Sequence, residues 1–165
     1  MAVSQHFLIA GGGIGGLACA YVLARDGHRV TVLEQQAQFG EIGAGIQLGP
    51  NIFRMFDWLG LTAAINDVAF FPPGMGMNDV RTGEKVVRVP FGDAVKAQYG
   101  YPYGLIYRAD LHKVLLDACA KFDNVKLRTS SKVDGFSQDG NSVTVKLASG
   151  DELRGDALIG ADGLW

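Results

Sequence analysis

The chain has 165 residues, with 15 Lys and Arg against 17 Asp and Glu, so its formal net charge is -2. Hydrophobic residues make up 48% and charged residues 19%, which excludes a disordered chain because there is enough apolar side chain to form a core. The nearly balanced charge excludes the basic field that nucleic acid or an anionic membrane surface would need.

The first 34 residues predict a β-α-β unit. An apolar strand over residues 6–10 leads into a glycine-rich turn over 11–16, a helix is favoured over 14–26, and a second strand follows over 29–34. We expect two parallel strands joined by a right-handed crossover helix.

Residues 1–24 carry no charged side chain, which raises the alternatives of a signal peptide or a membrane span. Five glycines between Gly11 and Gly16 interrupt the apolar run, and no basic residue precedes it, so a strand, turn and helix explain it better. Cys19 and Cys119 show no pairing pattern. We therefore expect a cytoplasmic protein without a membrane span.

The rest of the chain predicts shorter elements. A second glycine-rich stretch covers residues 40–49, residues 70–89 favour antiparallel strands, and the tyrosines of 99–107 are expected in a loop. Asp110 predicts the N-cap of a helix that runs to about residue 122. Further helices are predicted over 50–59 and 61–66, further strands over 125–127, 132–136 and 142–147 (the last two as a hairpin), and an apolar run over 153–159.

Gly11, Gly13 and Gly16 have the spacing of a dinucleotide-binding fingerprint, in the strand–turn–helix context that it requires. The first glycine permits a sharp turn, the second lets a pyrophosphate reach the backbone, and the third lets the helix pack on the strand. The helix N-terminus, which includes Ile14 and Gly15, adds unpaired N–H groups and a partial positive charge. The alternative is a glycine-rich turn that only packs.

Glu34 ends the second strand, 18 residues after Gly16. This is the position from which an acid accepts hydrogen bonds from both hydroxyls of an adenosine ribose, and its negative charge disfavours a 2′-phosphate there. The local unit does not distinguish NAD from FAD.

The motifs that follow do distinguish the two. In order, the chain carries GGGIGG at 11–16, Glu34, GAGIQ at 43–47 with GPN at 49–51, YRADL at 107–111 and GADG at 160–163. This set resembles the single-component FAD-dependent aromatic hydroxylases (group A flavoprotein monooxygenases) of the hydroxybenzoate and salicylate hydroxylase type, over essentially the whole chain. The resemblance implies a Rossmann-like, three-layer α/β FAD-binding domain with a parallel sheet and inserted antiparallel strands of a substrate domain.

By residue number, the implied organisation is a dinucleotide unit with its flavin loop over 1–69, an antiparallel insertion over 70–109, and a helix, hairpin and return strand over 110–165. The resemblance also implies that Gly45, Ile46 and Gln47 run along the isoalloxazine ring. Without side chains at the glycines, a flat ring could lie against this backbone.

Three more residues take roles only through the resemblance. Arg108 matches the arginine that reaches the FAD phosphate and ribityl region, although an arginine there could simply pair with an acid such as Asp110. Val133 lies in the strand whose backbone approaches the adenine, and it could be a plain strand residue. Asp162 resembles the acid linked to FAD and to pyridine-nucleotide handling, and an Asp-Gly pair is also an ordinary turn.

The implied reaction hydroxylates a phenolic aromatic acid. NADH or NADPH reduces FAD, O₂ adds to form a flavin C4a-hydroperoxide, and the protein orients the ring and excludes water. The residues do not identify the base that would deprotonate the phenol. His6, His28 and His112 are scattered without ligand spacing, so we expect no metal site.

Two alternatives stay open: another FAD oxidoreductase on the same scaffold, such as an amine oxidase or a squalene-type epoxidase, and a non-catalytic binding module like the GDP-dissociation inhibitors. Homodimers are common in the family, and no feature of these residues decides that state. Because a predicted buried strand near Ile159 has little chain after it to cover it, we expect the N-terminal part of a longer enzyme that alone binds FAD weakly and lacks hydroxylase activity.

Overall fold

The described chain consists of eleven short strands and five helices. The computed structural model describes residues 3–40 and 43–163, so parts of the predicted stretches 40–49 and 110–165 lie outside the described residues. The elements are β1 (His6–Ala10), α1 (Ile14–Arg25), β2 (Arg29–Leu33), β3 (Gly45–Leu48), α2 (Pro50–Leu59), α3 (Thr62–Asn66), β4 (Gly74–Asn78), β5 (Lys85–Pro90), α4 (Asp93–Tyr99), β6 (Gly104–Tyr107), α5 (Arg108–Cys119), β7 (Val125–Arg128), β8 (Val133–Gln138), β9 (Val143–Leu147), β10 (Glu152–Gly155) and β11 (Ala157–Gly160).

The described residues form two units. The first contains residues up to 40 and from 112 onward, and the second contains residues 43–111. No helix in either described part is both long and apolar enough to cross a membrane.

A parallel sheet with the strand order β11-β1-β2-β7 forms the centre of the first unit. The antiparallel sheet β10-β9-β8 covers one face of it, where Leu8 and Leu33 pack against Val143, Val145 and Leu147. Because successive side chains of a strand point to opposite faces, the neighbours of Leu8 in β1 and of Leu33 in β2 point to the other face of the parallel sheet. This three-layer arrangement with a parallel sheet confirms the predicted α/β fold class.

On the opposite face, α1 packs against the parallel sheet and against α5. The Cys119 thiol donates a hydrogen bond of 3.2 Å to the Leu17 carbonyl, and the rings of Tyr21 and Phe122 meet edge to face. Gly27 ends α1 with a φ of +87°, the left-handed conformation that glycine adopts after a helix. The predicted β-α-β unit is therefore confirmed.

The second unit pairs β3 with β6 and β4 with β5, both antiparallel, and adds α2, α3 and α4. Phe53, 2% exposed, lies at its centre in contact with the rings of Phe56 and Phe71. A Cβ on Gly104 would lie 2.8 Å from the Phe53 ring. Glycine at this position thus lets β6 approach the aromatic core.

Some predicted boundaries were wrong. The helix expected to start at an Asp110 cap begins at Arg108, because β6 runs straight into it and Asp110 falls in its first turn. The tyrosine-rich loop contains the end of α4 and all of β6. The apolar run 153–159 divides at Asp156, which lies between β10 of the antiparallel sheet and β11 of the parallel sheet and whose carboxylate accepts the His6 backbone N–H. The strand near Ile159 is half-buried, not buried.

Asn124 should contribute measurably to the stability of the first unit. Its side-chain amide donates to the carbonyl of Ala24, in the last turn of α1, at 2.9 Å, and to that of His28, just beyond the helix, at 2.6 Å. We expect Asn124→Ala to lower the free energy of unfolding by about 1–3 kcal/mol, because the His28 carbonyl loses this donor and the Ala24 carbonyl keeps only the Gly27 N–H among the described donors. Urea unfolding measures this change. The exposed neighbour Asp123 provides the control, since Asp123→Ala should stay within about 0.5 kcal/mol; equal effects of the two substitutions would contradict the assignment.

Candidate functional site

The turn between β1 and α1 presents backbone donors at the start of a helix. Gly13 is the N-cap residue in an extended conformation, and no side chain caps the helix. The first N–H groups of any helix lack partners inside it. Across the described ranges, the N–H of Gly13 likewise has no acceptor. These donors and the helix dipole together form a site suited to an anion.

Close backbone packing explains two of the three fingerprint glycines. A Cβ on Gly16 would lie 2.0 Å from the Gly11 carbonyl oxygen, and one on Gly11 would lie 2.3 Å from the Ala161 carbonyl oxygen. Gly11 also has a φ of +108°, which disfavours any other residue. By contrast, a Cβ on Gly15 would meet nothing within 4 Å. The side of the first helical turn at Gly15 is therefore open.

Glu34 lies directly beside the glycine turn. One carboxylate oxygen accepts the N–H of Gly12 at 2.9 Å, and the other accepts the N–H of Gln36 at 2.8 Å. Since an ionised carboxylate offers about four lone-pair sites, each oxygen can accept one more hydrogen bond. The Phe39 ring covers Gly12, where a Cβ would lie 2.4 Å from a ring carbon.

Two other predicted residues of the first unit line one cavity beside the parallel sheet. The backbone N of Asp162 would lie 2.9 Å from a Cβ on Gly11, so the segment 160–163 packs directly on the turn. Asp162 and Val133 both line a cavity of about 810 Å³, together with Ala10. The Val133 side chain itself packs against the core cluster around Leu8.

The second unit holds the other predicted site residues. Gly45, Ile46 and Gln47 belong to strand β3, not to a loop, because they pair with β6. The Arg108 side chain lies against the backbone of Gly43, where a Cβ would be 2.9 Å from the arginine Cδ. The structure thus brings the glycine-rich stretch and Arg108 together within this unit.

Sequence reasoning missed His112. Its imidazole is 3% exposed, and its Nε2 lies 2.8 Å from the carbonyl oxygen of Gly12, 100 positions away. The signal that could have found it is helical periodicity: His112, Leu115 and Cys119 follow the spacing i, i+3 and i+7, and all three are buried. A histidine on the buried side of a helix requires a polar partner.

Comparison with known proteins identifies relatives over nearly the whole chain. Residues 5–165 match a family described as FAD binding domain. The chain is 46% identical to a 3-hydroxybenzoate 6-hydroxylase from Polaromonas naphthalenivorans, over 95% of its length, and 42% identical to one from Klebsiella oxytoca, over 99%. It spans only 39% and 41% of the lengths of these two relatives.

Solved structures show the same fold. A p-nitrophenol 4-monooxygenase from Pseudomonas putida matches with a TM-score of 0.86 at 28% identity, covering 99% of this chain and 42% of that one. Klebsiella pneumoniae HpxO, complexed with FAD and uric acid, matches with a TM-score of 0.81 at 27% identity, covering 96% and 39%.

Gly16 and Gly15 should respond oppositely to alanine. Gly16→Ala places a methyl group against the Gly11 carbonyl, which no side-chain rotation relieves, so we expect a loss of about 3 kcal/mol or more, at the upper end of overpacking effects. Gly15→Ala adds a methyl group in open space, and alanine favours a helix by up to about 1 kcal/mol over glycine. Thermal unfolding without added nucleotide compares the two variants. Equal stability would show that the close approach between Gly16 and the Gly11 carbonyl does not restrict the residue at position 16.

Proposed function

The chain belongs to the FAD binding domain family, and on this premise we propose that its glycine turn and Glu34 bind the ADP part of FAD. The pyrophosphate would accept hydrogen bonds from the N–H groups at the start of α1. The observation that carries the proposal is this helix start, which has no cap and no acceptor for Gly13 in the described residues. An anion held there gains both the hydrogen bonds and the favourable end of the helix dipole.

The adenosine ribose would bind at Glu34. Its two oxygens are each committed to one backbone N–H, which fixes the carboxylate and leaves acceptor capacity for two hydroxyl groups. We propose that Gly11, Gly13, Ile14, Gly15 and Gly16 together form the pyrophosphate site. Gly11 and Gly16 act by permitting close packing, whereas Gly13, Ile14 and Gly15 offer donors or open space.

The remaining cofactor contacts are proposals from the family pattern. Val133 and Asp162 line one cavity with Ala10, the last residue of β1, which supports a role for both near the nucleotide. In the second unit, Gly45 and Gln47 are exposed on β3, as residues lying against a flavin ring must be. Arg108 carries a permanent positive charge, which suits an FAD phosphate.

We propose that the whole protein is a monooxygenase that hydroxylates a phenolic aromatic acid with NADH or NADPH and O₂. The 3-hydroxybenzoate 6-hydroxylase names of two relatives support a hydroxybenzoate as the substrate class. FAD, when bound, would supply the redox chemistry that activates O₂. The described residues would bind and orient it; none of them is assigned as the base. We further propose a cytoplasmic location, from the two unpaired cysteines, and a homodimer, from the family pattern alone.

The absorption spectrum of the purified protein tests this function. Bound FAD should give bands near roughly 375 and 450 nm, a property of oxidised flavin, and heat denaturation should release it. Hydroxybenzoates should then accelerate NADH or NADPH oxidation. Colourless protein that takes up no FAD would favour a non-catalytic module, and bound FAD without a response to phenolic acids would favour another oxidoreductase.

Replacing Glu34 by Gln should weaken FAD binding. The amide presents a donor to one of the two backbone N–H groups and loses the charge that strengthens ribose hydrogen bonds. We expect the Kd for FAD to rise about 10- to 100-fold, since a hydrogen bond to a charged group contributes about 1.5–3 kcal/mol. Quenching of flavin fluorescence measures the Kd.

Gln36 provides the matched control for this experiment. Its backbone N–H bonds to Glu34 while its side chain is exposed, so Gln36→Ala keeps the contact and should bind FAD within about twofold of the natural protein, less than 1 kcal/mol. If both substitutions weaken binding equally, or if neither does, Glu34 is not the ribose ligand.

A further inference from the structure

His112, in helix α5, contacts the backbone of the glycine turn. Its ring is buried, and its Nε2 lies 2.8 Å from the Gly12 carbonyl oxygen. A carbonyl can only accept a hydrogen bond, so Nε2 carries the proton and donates it. Leu115 and Cys119, on the same buried side of α5, fill space with apolar or weakly polar groups. The imidazole differs from them by directing a strong donor at this turn.

The Gly12 residue is consequently held at both of its peptide groups. Its N–H donates to the Glu34 carboxylate at 2.9 Å, and its carbonyl accepts from His112. Glycine has little conformational preference of its own, so a turn of three consecutive glycines needs such external contacts to keep a single conformation. The two contacts come from the end of β2 and from α5, which lie far apart in sequence.

The second contact determines where the Gly13 N–H points. The Gly12 carbonyl and the Gly13 N–H belong to one planar trans peptide, in which the two groups point in opposite directions, and the described chain contains no cis peptide. With the carbonyl directed at His112, the Gly13 N–H must face away from it. That N–H is the donor at the N-cap of α1 without an acceptor in the described residues.

We propose that His112 is a positioning residue of the nucleotide site: it holds the Gly12–Gly13 peptide so that the Gly13 N–H is directed at the pyrophosphate of FAD. This inference rests on the proposed binding of FAD by the glycine turn. His112 touches no cofactor atom and acts through Gly12. Without its donor, the peptide is free to rotate, and the Gly13 N–H loses its fixed direction.

The test compares two substitutions of nearly equal length, His112→Gln and His112→Met, in the full chain. Gln keeps an N–H donor and Met does not, while both fill the buried space. We expect the Kd for FAD to rise about tenfold in His112→Met, corresponding to the loss of one hydrogen bond, and about threefold or less in His112→Gln. Should His112→Met fail to fold, His112→Phe, which keeps a planar ring without a donor, replaces it.

Cys119→Ala is the matched control for a loss of packing. The thiol lies on the same helix face and also donates to a backbone carbonyl, that of Leu17 in α1, and burial raises the pKa of the thiol to about 11, which keeps it protonated. This variant should be less stable yet bind FAD within about twofold of the natural protein. An equal loss of FAD affinity in Cys119→Ala and His112→Met would mean that His112 has only a structural role.

The ³¹P resonances of bound FAD provide a readout that a purely structural role would not move. We expect His112→Met to shift the pyrophosphate resonances and His112→Gln to restore them, while the visible spectrum of the bound flavin stays unchanged. If the protein without substitutions binds no FAD, both the proposed function and this inference are overturned. If the protein without substitutions binds FAD, and His112→Met has the same Kd and the same ³¹P shifts, this inference alone is overturned.

Discussion

The close approach of α1 to the end of β1 is the constraint on which the rest of the first unit depends. At Gly16 the helix comes so near to the Gly11 carbonyl that a Cβ would lie 2.0 Å from it. This approach aims the helix N-terminus at the end of the parallel sheet, where its unpaired N–H groups and positive dipole end are concentrated. A side chain at this point would push the helix away and separate the donors from the strand ends.

Polar contacts from distant segments then fix this arrangement. Glu34 and His112 hold Gly12 at its two peptide groups, while Asn124 bonds to the carbonyls of Ala24, in the last turn of α1, and of His28. These contacts link residues about 22 to 100 positions apart, so the turn is specified by the folded unit and not by the local glycines alone. A nucleotide would meet donors that are already oriented, which lowers the entropic cost of binding.

Much of the first unit followed from sequence. β1, α1 and β2 were predicted because an apolar strand, a glycine turn and a helix with its own end signal leave few alternatives. The strands β3 and β6 were not predicted, since each has only four residues, and they lie within a glycine-rich and a tyrosine-rich stretch that favoured loops. The division of 153–159 and the role of His112 depend on contacts with His6 and Gly12. Such contacts exist only after folding: helical periodicity indicates that His112 is buried, but no local pattern identifies Gly12 as its partner.

The crystal structure of the protein with FAD tests the central claim most directly. We predict that the pyrophosphate lies at the start of α1, with phosphate oxygens about 2.7–3.2 Å from the backbone nitrogens of Gly13 and its neighbours. We also predict that the adenosine ribose hydroxyls bond to Glu34 and that the Gly12 carbonyl still accepts a hydrogen bond from His112. A pyrophosphate bound away from this helix start, or a ribose without contact to Glu34, would contradict the account.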